Sequence, residues 1–196
     1  MSKRLFDFIA ALAGLALLAP LFALAALWIR LDSPGPVFFR QLRVGRGGKP
    51  FSIYKFRTMT VAPTARVQLT VGRDSRITRA GQFLRHYKLD ELPQLINVLQ
   101  GTMSLVGPRP EVPRYVACYP PQVRALVLSV APGITDWASI LYREESDILG
   151  RAADPERAYV ETILPAKLEF YMRYAREHTF WTDLRIIFRT LAVIGH

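Results

Sequence analysis

FIAALAGLALLAPLFALAALWI, from Phe8 to Ile29, is 22 consecutive residues without a charged or strongly polar side chain. As a straight helix it would be about 33 Å long, enough to cross the hydrocarbon core of a bilayer. Lys3 and Arg4 precede it, as they would precede a cleaved signal sequence. The run exceeds the roughly 7–15 apolar residues of a signal h-region, and Trp28-Ile29-Arg30 stands where small residues would be needed for cleavage. The segment therefore reads as a retained membrane anchor, and its length disfavours an ordinary buried core helix. Pro20 lies near its middle, where it removes a backbone hydrogen bond and kinks a helix. Basic residues flank both ends: Lys3 and Arg4 before, Arg30, Arg40, Arg43, Arg46 and Lys49 after. The positive-inside rule then gives no single orientation. Two geometries stay open on physical grounds: a kinked span, and a bent hairpin that enters one leaflet and returns, with Pro20 at the bend.

The 196 residues are room for one ordinary domain, and 51% hydrophobic residues exclude a disordered or fibrous chain. The net charge of +10 is unevenly placed. Residues 1–60 hold 9 basic and 2 acidic side chains, 61–100 hold 6 and 3, and 101–196 hold 11 of each. The whole excess thus sits in the first hundred residues, next to the anchor. A single cysteine, Cys118, excludes an internal disulfide framework and reads as a small apolar filler. With three histidines and no Cys/His cluster, a structural zinc site is not expected.

Beyond the anchor, Asp32-Ser33-Pro34-Gly35-Pro36 breaks the chain, and Val37-Phe38-Phe39 predicts a short strand. The glycine-rich basic turn Val44–Pro50 leads into the alternating run Phe51–Phe56, so the two make a hairpin near the membrane. Residues 60–79 read as a loop, Gly81–Tyr87 and Glu91–Gln100 as helices, and Met103–Val106 as a short strand. A helix through Pro121–Ser129 stops at Pro132-Gly133. Pro155–Ile194 reads as two helices broken near His178-Thr179. In the last of these, Trp181, Leu184, Ile187, Phe188 and Leu191 share helical spacing, which suits a core-packed amphipathic helix or one lying at a membrane surface.

Chemistry concentrates in three places. In Lys88-Leu89-Asp90-Glu91-Leu92-Pro93-Gln94-Leu95, Pro93 suits a first helical turn and makes Asp90 the expected N-cap. Two adjacent carboxylates repel unless a cation neutralises them, and Mg²⁺ held by Asp90 and Glu91 with phosphate oxygens would do so. In Gly107-Pro108-Arg109-Pro110 two prolines fix a turn and immobilise a guanidinium suited to phosphate. Pro132-Gly133-Ile134-Thr135-Asp136-Trp137 is a turn leading to an aromatic that reads as core. Neither a Walker loop nor a dinucleotide fingerprint is present.

Together these stretches resemble the bacterial sugar transferase family, the small monotopic phosphoglycosyl transferases. The resemblance is carried by Lys3-Arg4-Leu5-Phe6-Asp7, Tyr54-Lys55-Phe56-Arg57-Thr58-Met59, Leu89–Val98, Met103–Pro110 and Pro132-Gly133-Ile134-Thr135, nearly the whole chain. It implies the minimal form of such an enzyme, transferring a sugar-1-phosphate from a UDP-sugar to polyprenyl phosphate with release of UMP, the first membrane step of a surface glycan. It implies Asp90 as nucleophile, Glu91 as its partner in metal binding and proton handling, and Mg²⁺ as cofactor. Lys55, Arg85, Arg109 with Pro110, and Arg143 fall where the family places phosphate- and nucleotide-facing groups. Relatives commonly read Gly-Trp-Ala-Gln after Gly-Ile-Thr. Asp136-Trp137-Ala138-Ser139 departs from this, which bears on sugar preference and on Arg143.

The resemblance also tips the anchor toward a re-entrant hairpin with both ends cytoplasmic, on the inner membrane of a bacterium. The expected fold is α+β: residues 1–31 as a membrane-inserted helix-hairpin, and 32–196 as a mostly helical, membrane-associated catalytic domain with a short β-hairpin and interfacial helices. Expected partners are a UDP-sugar, polyprenyl phosphate and membrane lipid, with a homodimer left open and no nucleic acid. A membrane-anchored nucleic-acid binder would use the +10 charge, and a non-catalytic scaffold would use the anchor. The first lacks a recognisable nucleic-acid motif, and the second has no use for Asp90-Glu91 or Gly107–Pro110.

Overall fold

A computed structural model describes residues 3–60 and 74–194. The apolar stretch forms one helix, α1 (Lys3–Asp32), which continues through Pro20 and is about 45 Å long. It is the one helix among the described residues long and apolar enough to cross a membrane. Its outer face leaves Ile9, Leu12, Leu17, Leu24, Leu27 and Leu31 exposed, a far larger apolar surface than soluble domains ordinarily present to water.

The inner face of α1 is tied to the rest of the chain at both ends. Near the start, Asp7 is buried and accepts hydrogen bonds from Ser104 Oγ at 2.8 Å and from the Leu105 amide at 3.3 Å. Arg4 donates to the carbonyls of Val98 and Leu99, and Lys3 pairs with Asp183. In the middle, Ala11 packs with Ile53, Leu95, Val98 and Met103. Toward the end, Phe22, Ala25 and Ile29 pack on Phe56, Ala80 and Leu84. Arg57 donates to the carbonyls of Pro34 and Ser33, at 2.5 and 2.7 Å, and so gathers the carbonyls where α1 stops.

The hairpin forms between β1 (Phe38–Val44) and β2 (Pro50–Phe56), antiparallel with Phe38 opposite Phe56 and Val44 opposite Pro50. β1 is longer than Val37–Phe39, because its polar residues also pair; Arg40 covers the Tyr54 ring at 4.8 Å. The turn between them places Gly47 and Gly48 in the left-handed region, at φ 67° and 77°, where a side chain would be strained. Most of the expected 60–79 loop, residues 61–73, lies outside the described residues. At its edges Met59 bridges Ile77.

Helix α2 (Arg79–His86) is capped by Thr78, whose hydroxyl accepts from the Gly81 amide at 3.0 Å. The chain then reverses at Lys88, a non-glycine residue at φ 55°, and runs through a 3₁₀ turn at Leu89–Glu91 before α3 (Gln94–Gln100). Asp90 therefore sits inside this tight turn and does not cap α3, contrary to the expectation from Pro93. Strand β3 (Ser104–Val106) leads to the short helices α4 (Pro113–Val116) and α5 (Pro121–Val127). β4 (Gly133–Thr135) then pairs parallel with β3, Ser104 facing Gly133 and Val106 facing Thr135. At this crossing a Cβ on Gly133 would lie 2.0 Å from the Gly107 nitrogen, so only glycine fits.

Asp136, not Asp90, is a helix cap. It starts α6 (Trp137–Leu141) by accepting from the amides of Ala138 and Ser139. Next come α7 (Glu145–Gly150), α8 (Pro155–Ala158), a π turn at Tyr159–Ile163, and α9 (Leu164–Glu177). After the expected break at His178-Thr179 the chain ends in α10 (Phe180–Ile194). The largest core joins α4, α5 and α9 through Tyr115, Val116, Val127, Leu164 and Tyr171. Trp137 is partly buried against Val106, Tyr174 and Ile186. Cys118 is exposed, so it is not the apolar filler expected. The architecture is mostly helical with two two-stranded sheets, an α+β arrangement.

Candidate active site

The 3₁₀ turn sets two neighbouring carboxylates in opposite circumstances. Glu91 is clamped: Lys55 Nζ lies 2.6 Å from its Oε1, Arg109 Nη1 lies 3.0 Å from its Oε2, and Arg109 Nη2 also pairs with Oε1. Burial pushes the Glu91 carboxyl up, but Arg109 and Lys55 outweigh it and hold it well below the ordinary glutamate range. Glu91 in turn raises Arg109 further. Burial lowers the Lys55 ammonium, and Glu91 only partly offsets this.

Asp90 is 8% exposed, and its carboxylate has no hydrogen bond or ion pair to another described side chain. It faces a polar cavity of about 240 Å³ whose rim carries Arg43, Lys55, Arg85, Lys88 and Arg109. Burial raises the Asp90 pKa above its ordinary value. Lys55, Arg85 and Lys88 work against that rise, and Glu91 adds to it. An anion here has a ring of cations about it, while the carboxylate itself remains uncommitted. That combination suits capture of a phosphate and attack upon it.

Five of the seven candidates from sequence thus meet around one cavity: Asp90, Glu91, Lys55, Arg85 and Arg109. Arg85 is steadied by Thr58, whose hydroxyl accepts from its Nε at 2.8 Å. Pro110 contributes through its backbone, its carbonyl accepting from Arg43 Nη1 at 2.9 Å. Arg143 stands apart from the polar cavity. Its guanidinium is bonded to the Val193 carbonyl near the end of α10, and it lines a second, neighbouring cavity.

A cluster that sequence reasoning did not select lines another part of the same cavity, through Arg43, Glu111, Glu145, Tyr159 and Lys167. Glu111 is buried and accepts from Tyr159 Oη at 2.7 Å. It also pairs with Lys167 at 3.4 Å and Arg43 at 3.6 Å. Lys167 reaches Glu145 as well, at 3.0 Å. The available signal was positional: Glu111 directly follows the rigid Pro108-Arg109-Pro110 turn. Tyr159 and Lys167 lie 48 and 56 residues downstream and Arg43 lies far upstream in β1, all out of reach of any local pattern.

The described residues contain no group of three or more His, Cys, Asp or Glu side chains placed to hold a metal on their own. The donor set fits a different mode, in which Mg²⁺ takes one or two carboxylates and completes its shell with phosphate oxygens and water. Asp90 offers an open carboxylate into a cavity fit for phosphate, and Glu91 adjoins it.

The family model described as "Bacterial sugar transferase" matches residues 1–196. The chain is 40% identical over 193 residues to the UDP-glucose:undecaprenyl-phosphate glucose-1-phosphate transferase of Escherichia coli K12, covering 96% of this chain and 39% of that protein. It is 38% identical over 195 residues to a UDP-N-acetylgalactosamine-undecaprenyl-phosphate N-acetylgalactosaminephosphotransferase of Aeromonas hydrophila, covering 98% and 43%. A UDP-glucose:undecaprenyl-phosphate glucose-1-phosphate transferase of Caulobacter vibrioides is 39% identical over 194 residues, covering 97% and 68%. The chain thus spans about two fifths of the first two relatives' length. The turn that carries Asp90, the clamp on Glu91 and the Pro108-Arg109-Pro110 corner all lie within the matched residues, and by that match the chain belongs to the bacterial sugar transferase family.

Proposed function

We propose that the protein transfers a sugar-1-phosphate from a UDP-sugar to polyprenyl phosphate through a covalent aspartyl intermediate, as the first membrane step of a surface glycan. The observation that carries this reading is the uncommitted Asp90 carboxylate beside the fully paired Glu91, in a cavity rimmed by cations. The names of the relatives, which couple UDP-sugars to undecaprenyl phosphate, support the substrate classes.

In the first step an Asp90 carboxylate oxygen attacks the phosphorus attached to the sugar. The bond from that phosphorus to the bridging oxygen breaks, and UMP leaves with the bridging oxygen. Arg109, Lys55 and Arg85 offset the charge on the phosphate oxygens and allow an anion to approach an anion. In the second step an oxygen of the lipid phosphate attacks the same phosphorus. The Asp90–phosphorus bond breaks and the carboxylate is restored. One site thus serves donor and acceptor in turn. Mg²⁺, held by Asp90 with diphosphate oxygens and water beside the cation-paired Glu91, would neutralise charge on the leaving UMP. Glu91 positions Lys55 and Arg109, so its loss would disorder the phosphate contacts.

A water-soluble donor and a lipid acceptor require a site at the membrane surface. The exposed apolar face of α1 and the exposed Trp181, Phe188 and Leu191 of α10 suit such a placement, while Asp183 and Ile186 of α10 face inward. Both ends of α1 are bonded to the same catalytic body, through Asp7 at one end and Asp32 with the Ala80 amide at the other. This supports an anchor that enters and leaves on one side rather than a full span, and the family resemblance makes that side the cytoplasmic face of the inner membrane.

The test is a screen of UDP-sugars for UMP release with Mg²⁺ and polyprenyl phosphate. One donor class should give turnover that depends on both additions. No release from any UDP-sugar would overturn the reading.

A further inference from the structure

Beside the polar cavity lies a second one of about 370 Å³, and the two share a polar wall of Lys88, Glu91, Arg109, Glu145, Ser146 and Lys167, in which Glu145 is already paired with Lys167. Their linings differ. The second cavity is bounded by Leu95, Leu105, Ile134, Ile140, Ile187 and Leu191. Its polar side chains are largely turned to one another. Thr135 and Thr190 share a hydrogen bond of 2.6 Å, Ser139 Oγ donates to Asp136 at 2.6 Å, and Arg143 is held by the Val193 carbonyl. A nucleobase or sugar needs free donors and acceptors and would find few here. An aliphatic chain needs only the carbon surface.

The location of the mouth is informative. Leu191 lines the cavity and is also 62% exposed, on the face of α10 that presents Phe188 and Trp181 outward. α10 adjoins the start of α1 through Lys3–Asp183 and the edge-on contact of Phe6 with Phe180. The cavity therefore opens onto the apolar surface formed by α1 and α10, and its inner end closes on Arg109 and Lys88. A ligand that fits has an aliphatic tail at the lipid side and an anionic head at the cation wall.

We propose that this second cavity binds the isoprene units nearest the phosphate of the lipid acceptor. The chain enters past Leu191, and its phosphate reaches Arg109 and Lys88 next to Asp90. The donor's diphosphate occupies the polar cavity. This rests on the transferase reading above and adds a separate seat for the acceptor chain. A membrane phospholipid shares the chemistry of a phosphate-headed aliphatic chain, so the experiment must separate the two sources.

The full chain in lipid nanodiscs is irradiated with a polyprenyl phosphate carrying a diazirine on an isoprene unit next to the phosphate, and labelled peptides are mapped. Labelling of the segment Ile134–Ile140 and of α10 around Ile187 and Leu191, displaced by unlabelled polyprenyl phosphate but not by equal phosphatidic acid, is the expected result. Labelling confined to α1 or to the polar cavity would overturn the proposal. So would equal displacement by phosphatidic acid, and so would displacement by uridine, which would assign the cavity to the nucleoside. In parallel, Leu191→Asp should raise the KM for polyprenyl phosphate at least tenfold while leaving the KM for UDP-sugar within twofold. A rise in the donor KM instead would contradict the assignment. UMP release that proceeds in the wild type without labelling of the cavity defeats this inference alone. Absence of UMP release from every donor defeats the transferase reading with it.

Discussion

Two buried carboxylate clusters line one polar cavity in this protein, and their difference separates chemistry from support. Around Glu111, charges are matched: Arg43, Lys167 and the Tyr159 hydroxyl satisfy the carboxylate, and Glu145 takes up the remaining charge of Lys167. Around the Asp90–Glu91 pair they are matched on one side only. Glu91 holds two cations, while Asp90 is buried with no hydrogen bond or ion pair to another described side chain, and its pKa is raised by burial. A folded protein keeps an uncompensated buried carboxylate at a cost, and such a group is where function is expected. The Glu111 cluster fixes Arg43 and the Pro110 corner, and so holds the wall on which Arg109 stands.

The largest effect should come from Asp90→Asn. The amide keeps the size of the side chain and lacks nucleophilicity, so UMP release should fall more than about a thousandfold with the fold intact. Turnover near the wild-type rate would make Asp90 a structural residue and erase the distinction between the clusters.

The second effect is on stability. Glu111→Gln leaves Arg43 without its counter-charge and the buried Lys167 with Glu145 alone, and should cost about 3 kcal/mol, lowering Tm by roughly 6–12 °C. Burial works against the Glu111 carboxylate, but Lys167 and Arg43 hold its pKa below the ordinary 4.5. A depressed carboxyl stabilises the fold above its ordinary pKa and loses that contribution as pH falls through the folded value. The gap between wild type and Glu111→Gln should therefore be full at pH 7 and narrow below about pH 4.5, as thermal melts across pH would read.

Arg109→Lys replaces a two-pronged guanidinium with a single ammonium at the wall shared by both cavities. It should reduce kcat/KM about 10–100-fold with little change in Tm. An equal loss on Arg143→Lys would show that the structure's separation of these two arginines has no functional meaning.

The smallest effect has the opposite sign. Because burial raises the Asp90 pKa, its ionised form opposes folding at neutral pH. Stability tied to its protonated form is present below its ordinary pKa of 3.8 and lost as pH rises through the raised folded value. Asp90→Asn should then melt a few degrees above wild type at pH 7, and the gain should vanish below about pH 3.8. A lower Tm at pH 7 would mean that Asp90 is as well compensated as Glu111.

Much of this arrangement was legible in the chain. The uncharged run Phe8–Ile29, the alternation in Phe51–Phe56 and the break at His178-Thr179 each reflect local physics, and each element formed. Asp90, Glu91, Lys55, Arg85 and Arg109 could be assembled because motifs carried them as a set. Local reasoning misplaced Asp90 as the cap of α3, since nothing in Lys88 announced a left-handed turn. Arg143, which the family resemblance and no local pattern put among the phosphate-facing groups, is bonded to a carbonyl at the end of α10. The Glu111 cluster was out of reach because its charges are balanced from β1, α7, the π turn and α9, through pairings that no periodicity encodes.

The claim at the centre of this account is that the unpaired carboxylate forms a bond. Intact-protein mass spectrometry of the wild type mixed with its UDP-sugar and Mg²⁺, without lipid acceptor, tests it most directly. The chain should gain the mass of one sugar phosphate, mapped to Asp90 and discharged on addition of polyprenyl phosphate, and Asp90→Asn should gain nothing. Release of UMP only when both substrates are present, with no mass gained at any time, would contradict it.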